Sequence, residues 1–183
     1  MFRRCLPTVL FLAGAAAGVA RATTLAHMSL TQLTAAAQAV ARVRCISNIA
    51  RWESGEIWTL TTFEVMETWK GDLPARITVR LIGGRAGHLI SRVPGVPRFA
   101  QGEEVILFLE PKGEEFSVTS WAQGTFRISH DPSGREVVNQ DTAGYPLFDP
   151  VAHRYRSGGA RHLSLEELRR QVLAAQTKER SGP

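Results

Sequence analysis

Cysteine is almost missing from this 183-residue chain: Cys5 and Cys45 are the whole complement. Two cysteines allow at most one bridge, and once a leader carrying Cys5 is removed neither a bridge nor a Cys-based zinc site is expected. Long apolar runs are as scarce. The one present, Val9–Val19, falls short of the roughly 20 apolar residues that cross a bilayer. No repeat appears at any period and no low-complexity tract interrupts the chain, which excludes solenoids and propellers. Histidine is present five times, at His27, His88, His130, His153 and His162, but never as H-x-x-x-H or H-x-H. Any metal site must therefore be assembled by the fold rather than by a local motif. A G-x-S-x-G elbow is lacking as well.

What is there begins with a leader. Arg3 and Arg4 precede the apolar run, and Ala20-Arg21-Ala22 follows it, which is the order of a secretory signal. Cleavage after Ala22 is the expectation, with Ala20 as the second site. Cys5 lies too early, and outside a Leu-x-Gly-Cys-like context, to carry a lipid. The expected product is an exported protein, periplasmic or extracellular, with no membrane anchor and no disulfide, because Cys45 is left alone. Cleavage also changes the charge. The full chain carries 22 Lys and Arg against 17 Asp and Glu, a formal +5. Losing Arg3, Arg4 and Arg21 leaves 19 against 17, or +2. A basic footprint for nucleic acid is then no longer expected.

The mature chain is organised around residues 57–81. Ile57 to Trp69 contains no Gly or Pro. Ile57, Phe63, Val65 and Trp69 share one parity and Trp58, Leu60 and Met66 the other, as in a long strand with one strongly apolar face. Lys70-Gly71-Asp72-Leu73-Pro74 is a turn, and Ile77, Val79 and Leu81 alternate with Thr78 and Arg80 on the returning strand. Before this hairpin, Ser29-Leu30-Thr31-Gln32 is a capping box that opens a helix over about 29–38, and 40–49 reads as a strand with Val43 and Cys45 on one face. After it, Val105-Ile106-Leu107-Phe108-Leu109 is a continuous apolar run, which predicts a central strand covered on both faces. Strands are also expected at 116–121, 125–128 and 135–139, with a turn at Asp131-Pro132-Ser133-Gly134. Residues 141–159 read as irregular. Ser164-Leu165-Glu166-Glu167 opens a second helix with Leu165, Leu168, Val172 and Leu173 on one side, and 177–183 as a fraying tail.

No helix separates consecutive strands, so the expected fold is mainly β: a small OB-like, five-stranded antiparallel barrel, with up to seven strands, a short N-terminal helix and a C-terminal helix. The division is a signal over 1–22, the barrel domain over 23–150, and an irregular segment, helix and tail over 151–183.

Candidate chemistry is thin. His130, Asp131 and Ser133 are triad residue types, but they fall in one turn, whereas a triad draws its members from separate elements. Cys45 reads as a small core residue, since adjacent Arg44 points to the opposite face. Glu64, Glu67, Glu103, Glu104, Glu114 and Glu115 read as solvent-face charges, and nothing selects a glycosidase pair among them. Gly83-Gly84-Arg85-Ala86-Gly87 lacks the order of a phosphate loop and reads as a bulge or turn. That leaves the Gly- and Pro-rich segment 83–99. Its length is unusual for a connector. Two readings stand: Val96 and Phe99 are apolar anchors for a partner, flanked by Arg92 and Arg98, or they fold back and cap one end of the barrel.

The run Thr61-Thr62-Phe63-Glu64-Val65-Met66-Glu67-Thr68-Trp69-Lys70-Gly71, then Ile77-Thr78-Val79, a Gly-rich segment and Gly102-Glu103-Glu104-Val105-Ile106-Leu107-Phe108-Leu109, resembles the OB-fold domain of tissue inhibitors of metalloproteinases and netrin-like modules. It is also similar to secreted bacterial proteins of unassigned function. The resemblance covers about 40–128 and implies the barrel and an inhibitor-like role. The zinc-chelating N-terminal cysteine of those inhibitors has no counterpart at Thr23, so no inhibitory residue transfers. The expected function is a non-catalytic binding module, protease-inhibitor-like, that docks a protein partner such as an exported protease through 83–99, with no cofactor and no metal. An envelope hydrolase with a loop-assembled site, or an oligosaccharide-binding barrel using Trp52, Trp58, Trp69 and Trp121, are the alternatives. Mass spectrometry of the exported form should find a chain that starts at Thr23 or Arg21; a full-length chain retained in the cytoplasm would overturn the compartment.

Overall fold

The computed structural model describes residues 25–180 apart from 143, so the expected signal lies outside the described residues. The chain opens with β1 (Leu25–Ala26) and α1 (Leu30–Ala36). Three long strands follow: β2 (Ala39–Glu53), β3 (Glu56–Lys70) and β4 (Arg76–Ile82). A small hairpin, β5 (Gly84–Ala86) and β6 (Leu89–Ser91), precedes β7 (Glu104–Lys112) and β8 (Glu115–Val118). A 3-10 turn at Trp121–Gly124 leads to β9 (Thr125–His130) and β10 (Glu136–Gln140). The chain ends with β11 (Pro146–Asp149), β12 (Arg154–Ser157), β13 (Leu163–Ser164) and α2 (Leu165–Arg180).

Five strands close on themselves. β2 pairs antiparallel with β3 and β7, β3 with β4, and β7 with β8. The ring closes where β8 meets β4, at Val79 and Phe116. That last pairing is parallel, where an all-antiparallel barrel was expected. The reason is arithmetic: directions alternate around antiparallel neighbours, so a ring with an odd number of strands must contain a parallel seam. From β7 the sheet runs on through β9 and β10 to β13.

Two apolar clusters sit on opposite faces of β7. Val105, Leu107 and Leu109 point into the barrel with Val43, Cys45, Phe63 and Val79. Ile106 and Phe108 point outwards and are covered by Leu33 of α1 and Leu168 and Val172 of α2. All five apolar residues of β7 are fully buried, as the continuous run predicted. The expected capping box is complete on α1, and α2 has its Ser164 half. Ser29 accepts from the backbone N–H of Gln32 and Gln32 reaches back to Ser29, while Ser164 Oγ accepts from the N–H of Glu167 at 3.2 Å. On α2 the buried stripe is Leu168, Val172 and Ala175; Leu173 is exposed, and the helix continues to Arg180 rather than fraying at 177.

The expected hairpin of β3 and β4 forms, and β2 enters it through a two-residue turn. Ser54 and Gly55 both take positive φ, 51° and 88°, which matches the twist of the flanking strands. One part of the parity argument fails. Val65 pairs with Val43 and Glu67 with Arg42, so Met66 has no partner and forms a bulge. An extra residue turns those after it to the other face. Trp69, expected beside Phe63, therefore packs in the helix-covered cluster, while Phe63 stays in the barrel.

Other differences are local. Residues 141–159, read as irregular, contain the β11–β12 hairpin, whose β11 also pairs in parallel with β1. The strand expected at 116–121 stops at Val118, because Ser120 and Trp121 both adopt left-handed φ near 50°. Gln123, fully buried, ties the N-terminal segment down: its Nε2 donates to the Ala26 carbonyl at 2.8 Å and its Oε1 accepts from the Met28 N–H at 2.9 Å.

Phe63→Ala empties a large, fully buried position in the barrel and should cost ~3–5 kcal/mol in denaturant melts. Melts that match wild type would refute the inward placement of Phe63.

Candidate functional site

The segment 83–99 leaves the barrel at two glycines. Gly83 has φ 86° and Gly84 φ 142°, conformations that L side chains rarely adopt. Space forbids a side chain too: a Cβ on Gly84 would lie 2.3 Å from Thr59 Oγ1, and one on Gly83 2.8 Å from the Ser91 carbonyl oxygen. This lets the β5–β6 hairpin lie back against β2 and β3. Thr59 Oγ1 locks the exit by donating to the Gly83 carbonyl at 2.6 Å.

Residues 92–103 then return across the barrel end. Val96 and Phe99 are 8% and 7% exposed and belong to the barrel core. The Phe99 ring meets Phe63 edge-on, with centroids 5.1 Å apart. Polar contacts hold the same strip in place. Asn48 Nδ2 donates to the Phe99 carbonyl at 2.9 Å, and Thr61 Oγ1 donates to Asn48 Oδ1 at 2.7 Å. Arg127 of β9 donates to the Arg98 carbonyl at 2.9 Å and pairs with Asp141 at 2.8 Å and with Glu103. The segment is therefore a stapled cap, and of its two sequence readings the fold-back one describes Val96 and Phe99.

Arg92 and Arg98, by contrast, stand outside. Arg98, with Arg85, lines a cleft of about 320 Å³ at the barrel mouth, beside Asn48, Thr61 and Phe99. Among the described residues no carboxylate forms an ion pair with Arg85, Arg92 or Arg98. Partial burial lowers the Arg98 pKa, and the like charge of Arg92 adds to this. The apolar residues this segment exposes are Leu89 and Ile90, at 43% and 58%. Sequence reading passed them over; the signal available was Gly87-His88 as a turn between two short β-prone runs. Together the cap offers a rigid, positively charged rim with two exposed aliphatic side chains, a composition suited to binding an acidic surface.

No equivalent assembly exists for catalysis at the positions weighed from sequence. Asp131 Oδ1 accepts from the Ser133 hydroxyl at 2.6 Å and from the Ser133 and Arg135 N–H groups, so the His130–Ser133 group is a hydrogen-bonded turn. Cys45 is buried and burial pushes its thiol pKa up, which disfavours the thiolate. Glu104 lies between Arg44, 2.7 Å away, and Arg42, and these hold its carboxyl below the usual range. Glu64 pairs with Arg44, Glu103 with Arg127 and Glu67 with Arg169. Among the described residues no three His, Cys, Asp or Glu side chains converge as metal ligands would.

The tryptophans do not form a stacking platform. Trp52, 57% exposed, pairs with Ile57, and Trp58 pairs with Arg51 on the next rung, so the two side chains lie on opposite faces of the hairpin. Trp58 is further covered by Arg80, 4.4 Å above its ring. Trp69 and Trp121 pack into the two cores.

Phe99→Ala should cost ~3–5 kcal/mol, because it removes a nearly buried ring that closes the barrel. A melting temperature unchanged within a few degrees would show that Phe99 does not seal the barrel end.

Neither a family model nor a curated protein matches this chain.

Proposed function

We propose that the protein is a non-catalytic binding module that acts after export and docks a protein partner on the rim formed by segment 83–99. The observation that carries the reading is the pairing of a stapled cap with unpaired charge. Val96 and Phe99 anchor the strip, and Arg85, Arg92 and Arg98 stand on it without a carboxylate among the described residues. A rigid scaffold that presents loop residues spends little entropy on binding, and arginines beside exposed aliphatics are frequent binding anchors. Like charges held together cost stability in the free protein, and a partner carboxylate between them removes that cost.

The partner this rim fits has acidic side chains beside an apolar one. The resemblance to metalloproteinase inhibitors makes an exported protease the first partner to assay. Engagement would not copy the cysteine mechanism of those inhibitors, because the rim offers guanidinium groups and aliphatic contacts rather than a metal-binding thiol.

An Arg92→Glu, Arg98→Glu double variant should keep its melting temperature within a few degrees, since neither side chain supports the core. Its capture of envelope proteins should fall by about tenfold, most strongly at low salt. Undiminished capture by a folded variant would overturn the reading.

A further inference from the structure

A second cleft, larger than the barrel mouth and sharing no residue with it, lies between α1, α2 and the β11–β12 hairpin. Its volume is about 660 Å³, within the range that holds small ligands. One side is apolar. Leu33 and Phe126 close the floor, and Met28, Leu30 and Leu163, half-buried, form the wall. The helix-covered core cluster is open at this place, because neither helix nor hairpin covers those side chains completely.

The opposite side is cationic. Arg154 and Arg156 are two apart on β12, so both project from the same face of that strand. Asp149, 8% exposed, fixes Arg156: its Oδ2 lies 2.8 Å from Arg156 Nε, and its Oδ1 accepts from the N–H groups of Val151 and Ala152 at 3.0 and 2.9 Å. The terminal nitrogens of Arg156 have no acceptor among the described residues. Arg154 has no ion-pair partner there either, and His27 lies on the same rim.

The third wall is backbone and is fixed in place. Gln140 Oε1 accepts from the Ala160 N–H at 3.1 Å, and Gln140 N–H donates to the Ala160 carbonyl at 2.8 Å. Gly159 presses so close to this amide that a Cβ would lie 2.0 Å from Gln140 Oε1. A side chain at 159 would have to displace the Gln140 amide that lines the cleft.

We infer that this cleft binds a small amphipathic carboxylate, with its apolar body against Met28, Leu30 and Leu163 and its carboxylate on Arg154 and Arg156. A prepositioned guanidinium with free terminal donors favours a planar, bidentate anion. An apolar wall of this depth adds affinity for a hydrocarbon body that a free inorganic anion lacks. Charge and shape thus select the two halves of one ligand. The site stands independently of the barrel-mouth reading.

Calorimetry with decanoate below its micellar concentration tests it. Decanoate should bind with a dissociation constant of about 0.1 mM or tighter, decanol at least tenfold more weakly, and acetate not measurably. Amide chemical shifts should move at 27–33 and 154–163 rather than at the barrel mouth. Arg154→Glu, an exposed substitution on no ion pair, should weaken decanoate at least tenfold with the melting temperature unchanged. Arg156→Gln is the second variant and should also weaken decanoate at least tenfold, with a lowered melting temperature because Asp149 loses its ion pair. Equal binding of decanoate and decanol, shifts confined to the barrel mouth, unaltered binding by a folded Arg154→Glu, or binding of anionic vesicles without binding of decanoate would each overturn the proposal.

Discussion

Five successive apolar side chains in β7 impose the constraint from which the architecture follows. A strand whose side chains are apolar on both faces needs a cover on each. One face is closed by curling the sheet into a barrel, and the other by laying α1 and α2 across it. The helices need not be strong formers for this purpose. α1 has seven residues, shorter than an isolated helix can sustain, and is held by its capping box and by Leu33 in the shared cluster. With no disulfide among the described residues, burial around β7 is the main source of cohesion.

This explains which features were legible in the sequence. The hairpin of β3 and β4, the β7 run and both helix starts depend on neighbours close in the chain, so periodicity and local motifs report them. The Met66 bulge was not legible, because alternation says nothing about where a partner strand skips a residue. Trp69 was misplaced as a direct result. The β11–β12 hairpin was missed for a related reason: Pro146–Asp149 and Arg154–Ser157 are four residues each, and β11 is fixed partly by β1, more than a hundred residues upstream. The site was half legible. Arg92 and Arg98 are on the rim, but the exposure of Val96 and Phe99 depended on whether the barrel end was otherwise filled, and composition cannot tell that.

Rigidity at the rim and the spare charge on it are connected. Segment 92–103 carries its carboxylate Glu103 inwards to Arg127, where it fastens the cap to β9. The same arrangement leaves Arg92 and Arg98 without an acid from their own strip. Asp141, the other acid nearby, is also bound to Arg127. Local acids are thus spent on holding the loop, and the outward face is left positive. A loop stabilised in this way gains order and electrostatic potential from one set of side chains.

Gln123 holds residues 26–28 through a carbonyl and an N–H, groups that every position of a polypeptide supplies. Such a clamp is indifferent to the side chains it grips. Substitutions in that stretch leave both hydrogen bonds intact as long as the backbone stays extended and proline avoids position 28. Side chains at 26 and 27 can therefore change while the clamp keeps its grip, so the hold on this end of the barrel rests on backbone geometry and tolerates variation in sequence.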